Sequence, residues 1–137
     1  MDYKKQLKYP HLGPEDTAIW SRFIEKYPDY YKSVDYDVKV GEGRDYSGLP
    51  EDEYSEDLKY LSKKRIDVVA FTDSDIHVIE VKPRAGLSAI GQSLGLADLY
   101  RAIAPADKLV KAVLITDQIL PDMEVLCLKM NVLIFVA

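Results

Sequence analysis

The chain has a single cysteine, Cys127, so no disulfide can close within it, and a reducing cytoplasm is the expected compartment. Cys127 lies in an apolar stretch and reads as a packing residue rather than a nucleophile. No apolar run approaches the roughly 20 residues of a membrane helix. The opening MDYKKQLKYP has no apolar signal-peptide core, and no membrane partner is expected. Basic excess is missing too. The net charge of −5 argues against a freestanding, non-specific nucleic-acid binder. That deficit is local, because Glu51, Asp52, Glu53, Glu56 and Asp57 together carry as much negative charge as the whole chain. Histidine is scarce. His11 sits in the N-terminal arm and His77 in a later apolar run, neither with a metal-ligand partner at useful spacing, so both read as structural or solvated.

What is present fits one domain spanning residues 1–137, long enough for a core. Pro14 to Tyr27 predicts a helix, with proline at its first position and Glu15 and Asp16 in its first turn. Its apolar face is Ile19, Phe23, Ile24 and Tyr27. Val34 to Val40 alternates as a strand. Residues 41–57 are rich in glycine, proline and acid, and predict a long acidic loop before a short helical turn at Leu58–Leu61. A hairpin follows. Ser88 then caps a helix to about Ala104, Lys108 to Thr116 is a strand, Pro121 to Met130 a helix, and Val132 to Val136 a final strand. The order is α-β-β-β-α-β-α-β, and strands joined through helices imply parallel pairing in the second half.

The hairpin, RIDVVAFTDSDIHVIEVK from Arg65 to Lys82, carries the chemistry. A turn at Thr72–Asp75 places Phe71 opposite Ile76, Val69 opposite Val78, and Asp67 opposite Glu80. Opposed residues have Cβ atoms roughly 4.5–5.5 Å apart, and like charges so placed repel unless something sits between them. A divalent cation removes that conflict, and Mg²⁺ prefers carboxylate and carbonyl oxygens. Lys82 lies two residues beyond Glu80 and shares its face. The basic residues Lys63, Lys64, Arg65 and Arg84 flank the pair and could contact phosphates, or form a solvated strand end. Tyr27, Tyr30 and Tyr31 could stack bases, or belong to a core edge or an oligomer interface.

This helix, three-strand meander, helix and strand, with Asp67 on the second strand and Glu80-Val81-Lys82 on the third, resembles the PD-(D/E)XK nuclease superfamily. Restriction endonucleases, Holliday junction resolvases and RecB-type nuclease domains belong to that group. The resemblance implies an α/β, restriction endonuclease-like αβββαβ core with a mixed sheet flanked by helices, followed by a C-terminal α-β unit. It implies that Asp67, Glu80 and the Val81 carbonyl bind Mg²⁺ or Mn²⁺ and that Lys82 is the catalytic lysine. Ile66 stands where the family has proline. Gln92 resembles the glutamine that RecB-like members place after the Glu-x-Lys strand, although Leu96 occupies their tyrosine position and Tyr100 follows a turn later. Members often carry a glutamate on the first helix, a place for which Glu15 is preferred here over Glu25.

The expected activity is metal-dependent hydrolysis of DNA phosphodiesters in recombination, repair, replication or phage DNA processing. The expected partners are DNA, a second copy of the chain, or a larger nucleic-acid-processing complex. The alternative is a nuclease-like module, without catalysis, that acts in binding or assembly.

Overall fold

The computed structural model describes residues 1–43 and 53–137. Helix α1 (Pro14–Lys26) precedes strand β1 (Ser33–Val40). Helix α2 (Glu53–Leu61), strands β2 (Lys64–Phe71) and β3 (Asp75–Val81), helix α3 (Leu87–Arg101), strand β4 (Leu109–Thr116), helix α4 (Pro121–Lys129) and strand β5 (Val132–Val136) follow. The sheet runs β1-β2-β3-β4-β5. The first three strands are antiparallel neighbours, and β4 and β5 join them in parallel. This is the mixed, helix-flanked sheet that the sequence predicts.

Helix α2 corrects one expectation. Residues 53–57 are helical rather than loop, and Leu58–Leu61 is the end of a helix rather than an isolated turn. EYSEDLKYL holds glutamate, lysine and leucine, all good helix formers, and its acidic character disguised that propensity as a solvated loop. The rest of the expected acidic loop, residues 44–52, lies outside the described residues.

The sheet is covered on both faces. Tyr9 of the N-terminal arm and Ile19, Trp20, Phe23 and Ile24 of α1 pack on Val34, Tyr36, Val68, Ala70, Ile79, Val81, Val113 and Ile115. Ala89, Ile90 and Ala97 of α3, with Cys127 of α4, pack on Val69, Ile76, Val78, Ala112 and Leu114. Cys127 is fully buried there, which makes it a packing residue. Of the three tyrosines that could stack bases or form a core edge, Tyr31 is buried in the first core and Tyr27 packs against it, the core-edge alternative. Tyr31 meets the rings of Phe23, Tyr30 and His77, and Tyr30, itself exposed, lies against Phe23 and Phe135.

Strands β1 and β2 have one irregularity, which positions the site. Side chains two apart in a strand point to the same face. Tyr36 and Val68 pack under α1, yet Val40 and Ile66 pack under α3. Both strands therefore turn over between these positions. The register is the same on either side, Tyr36 with Val68 and Val38 with Ile66, so no residue is inserted. The pair in between is Asp37 and Asp67, and Asp37 has a φ of +52°. A positive φ is uncommon for a residue with a side chain, and aspartate is among those that adopt it most readily.

Candidate active site

The β2–β3 pairing runs from Phe71–Ile76 through Val69–Val78 to Val68–Ile79, the predicted register. The next pair in that register is Asp67 and Glu80, and there the regular ladder ends. The Asp67 side chain takes over the ladder's role, because the Val81 N–H donates to Asp67 Oδ2 at 2.9 Å. The strand beyond stays tied to the sheet through β4, where the Lys82 N–H donates to the Ile115 carbonyl at 3.0 Å. A strand residue presents its N–H and C=O to the same neighbour. The Val81 carbonyl therefore faces the β2 side, as its N–H does.

Asp67 and Glu80 line a cleft of about 430 Å³ together with Lys64, Arg65, Gln92, Gly95, Leu96 and Leu99. Gln92, Gly95, Leu96 and Leu99 come from α3, one wall of the cleft, and Lys64 and Arg65 from the start of β2. Gln92 is thus brought to the two carboxylates. Lys82 follows directly on β3 and is exposed. Its side chain makes no hydrogen bond or ion pair with the described residues, but its positive charge is felt by Asp67, Glu80 and Asp16.

The two carboxylates are electrostatically uncomfortable. Burial pushes the Asp67 carboxyl up to about 6. The Val81 N–H and the Lys82 charge work against that rise, and Asp16 and Asp37 add to it. Burial, followed by the charge of Asp67, pushes Glu80 up to about 8, with Lys82 opposing. Two groups coupled this closely titrate as a pair, and near neutral pH the pair holds about one proton. These donors suit a hard divalent cation, whose charge would resolve the repulsion that the fold has built in. Among the described residues, no three histidine, cysteine, aspartate or glutamate side chains already converge as a cation cage.

Glu15 is not brought to the pair. It is well exposed and accepts from Arg84 Nη1 at 3.1 Å. Glu25 pairs with Lys5 on the surface. The carboxylate that α1 turns toward the site is Asp16, which is half-buried, is held above the ordinary carboxylate range by that burial, and acts on both Asp67 and Glu80. The signal for it was Trp20. This residue is fully buried, and including it in the apolar stripe of α1 rotates the inward face by one residue toward Asp16, four positions earlier.

His77 behaves as expected: it is buried, and its Nδ1 lies 2.7 Å from the Tyr31 hydroxyl. His11 is less solitary than its sequence position implies, as its Nε2 lies 3.0 Å from Asp37 Oδ2 and its Nδ1 lies 2.8 Å from Arg65 Nη1.

With this geometry in place, comparison with solved structures is informative. A repair endonuclease from Pyrococcus abyssi superposes with a TM-score of 0.53 at 15% identity, over 96% of this chain and 49% of that one. The chain shares its fold with that endonuclease. A protein of unknown function superposes with a TM-score of 0.52 at 14% identity, over 83% of this chain and 52% of that one. The chain thus spans about half the length of each neighbour. No protein-family model matches it, and no curated protein resembles it in sequence. At these identities the likeness speaks for an α/β, restriction endonuclease-like fold. No helix among the described residues is long and apolar enough to cross a membrane.

Proposed function

We propose that the chain is a metal-dependent deoxyribonuclease of the PD-(D/E)XK type. One observation carries the reading: two half-buried carboxylates, Asp67 and Glu80, meet where the β2–β3 ladder opens, and both are pushed toward protonation by burial and by neighbouring carboxylates. A structural site would not need that repulsion. A fold in common with a repair endonuclease supports the same reading.

In this proposal Asp67 and Glu80, with the Val81 carbonyl, hold Mg²⁺ or Mn²⁺. When bound, the cation would offset charge on the scissile phosphate and acidify a water. The Val81 N–H fixes Asp67 through Oδ2 and leaves Oδ1 for that role. Lys82, whose ammonium has no hydrogen-bond or ion-pair partner among the described residues, orients the attacking water and stabilises charge developing on the phosphate oxygens. Gln92 hydrogen-bonds the water or a phosphate oxygen from the α3 wall. Asp16 adds a third carboxylate from α1, in the place expected for Glu15. DNA is the proposed substrate, and recombination, repair, replication or phage DNA processing the proposed setting.

The rival reading, a nuclease-like module for assembly, finds support in the absence of a converged three-residue cage among the described residues. An activity panel separates the two. The purified chain, supplied with Mg²⁺ or Mn²⁺, should cut at least one of single-stranded, duplex, nicked, flapped or four-way DNA. Failure to bind a divalent cation, together with no cleavage of any of them, would sink the enzyme reading and leave the module.

A further inference from the structure

Asp37, His11 and Arg65 form a cluster on the rim of the cleft that the proposed chemistry does not use. Asp37 lies on β1 in register with Asp67, at the point where both strands turn over. Its side chain is mostly buried, and its Oδ1 has no hydrogen-bond partner among the described residues. His11 also has a positive φ, +60°, and it reaches Asp37 from the N-terminal arm. Strained residues of this kind persist only where their surroundings hold them, and they gather at functional sites. Two of the five non-glycine residues with positive φ among the described residues are in direct contact.

The hydrogen bonds define an order. Arginine has donors only. Where Arg65 Nη1 meets His11 Nδ1 at 2.8 Å, the imidazole nitrogen must therefore accept. Nη1 also lies 3.3 Å from Nε2, but the shorter contact makes Nδ1 the acceptor, and the ring hydrogen on Nε2 is then donated to Asp37 Oδ2 at 3.0 Å. Asp37 thus fixes the ring, and the ring fixes the guanidinium. The orphan Oδ1 draws the same guanidinium from the other side, with Arg65 Nε at 3.8 Å. Neither contact uses Nη2. Arg65 is about one-third exposed and lines the same cleft as Asp67 and Glu80. A planar fork held through Nη1 and Nε, on a residue that lines the cleft, suits a phosphate oxygen.

We propose that Arg65 contacts a backbone phosphate of the nucleic acid entering this cleft, and that Asp37 and His11 are its positioning residues. The proposal rests on the nuclease reading for the identity of the ligand. It explains why a buried carboxylate is kept beside Asp67, where its charge adds to the repulsion at the site.

The sign of one substitution tests it. Removing a carboxylate near a DNA site strengthens binding if only net charge matters. Positioning gives the opposite result. Binding of a fluorescein-labelled oligonucleotide is measured by anisotropy in EDTA, across a salt series, for the full chain and its variants. Arg65→Gln should weaken binding about tenfold and lower the salt slope by about one. Arg65→Lys, which keeps the charge and loses the fork, should fall between. Asp37→Asn and His11→Asn should each weaken binding about threefold, and asparagine tolerates the positive φ at both positions. In an Arg65→Gln background neither should have a further effect, since each acts through Arg65. Tighter binding by Asp37→Asn, an unchanged salt slope in Arg65→Gln, or additive losses in the double variants would overturn the proposal. If the unsubstituted chain cuts DNA while Arg65→Gln binds normally, this inference fails and the nuclease reading stands. If the unsubstituted chain neither binds nor cuts, both fail.

Discussion

The two ends of the β2–β3 hairpin are built from similar residues and put to opposite uses. At the turn, every charged or polar group has a partner. The Thr72 hydroxyl accepts from the Asp75 N–H at 2.9 Å, Asp75 pairs with Lys111 at 2.9 Å, and His77 meets the Tyr31 hydroxyl at 2.7 Å. The Asp75 carboxyl is accordingly held below its ordinary range by its bond to Lys111. At the open end, Asp67 and Glu80 face each other, only Asp67 takes a backbone donor among the described residues, and both are pushed up instead. Carboxylates stabilise the first end and burden the second. Native structures tolerate such a burden mainly where it is used.

The largest expected effect lies at the open end. Asp67→Ala, Glu80→Ala and Lys82→Ala should each lower DNA cleavage by on the order of a hundredfold or more, read as initial rates at saturating Mg²⁺. Folding should survive all three. Retention of most of the activity by any of them would remove that residue from the site.

The first turn of α1 provides a smaller, paired contrast. Asp16→Asn should reduce cleavage about tenfold, while Glu15→Gln should leave it unchanged. Glu15 makes only an exposed ion pair with Arg84, a type of contact with a stability value of about 0–1 kcal/mol. The reverse ranking in a rate assay would return the role to Glu15.

At the turn end the loss should be in stability and not in rate. Tyr31→Phe leaves the buried His77 Nδ1 without its partner, at a cost of about 1–3 kcal/mol in urea unfolding. Cleavage by the folded variant should be normal. A rate defect would mean that the two ends are coupled.

The remaining effect is a slope with pH. Both site carboxyls have folded values above their unfolded ones, so between about pH 4 and pH 8 the folded state holds more protons than the unfolded. Metal-free stability should therefore fall as pH rises through that window. Glu80→Gln should flatten most of the fall. A stability that rises with pH across the same range, with Glu80 intact, would contradict the electrostatics assigned to the pair.

Much of this was legible in the sequence, for a physical reason. Apolar alternation in β2 and β3 fixes which residues oppose, and a slip by one residue would have turned Val69 and Val78 away from the α3-side core. The opposition of Asp67 and Glu80 follows from that register, and Gln92 follows from the helix that closes the crossover. Three features were hidden. Asp37 reads as one more polar position in an alternating strand, because a positive φ leaves no mark in composition. His11 meets Arg65 across 54 residues of chain, a contact that only the folding of the N-terminal arm creates. Asp16 and Glu15 are adjacent, and on a helix one residue decides which side is inward, a choice that the buried Trp20 makes.

Calorimetric titration of the purified chain with Mn²⁺, with Asp67→Asn and Glu80→Gln as controls, asks whether the carboxylate pair is a cation site. Saturable binding by the unsubstituted chain and its loss in both variants are expected. No binding, or binding that persists unchanged in Glu80→Gln, would contradict a cation site between β2 and β3.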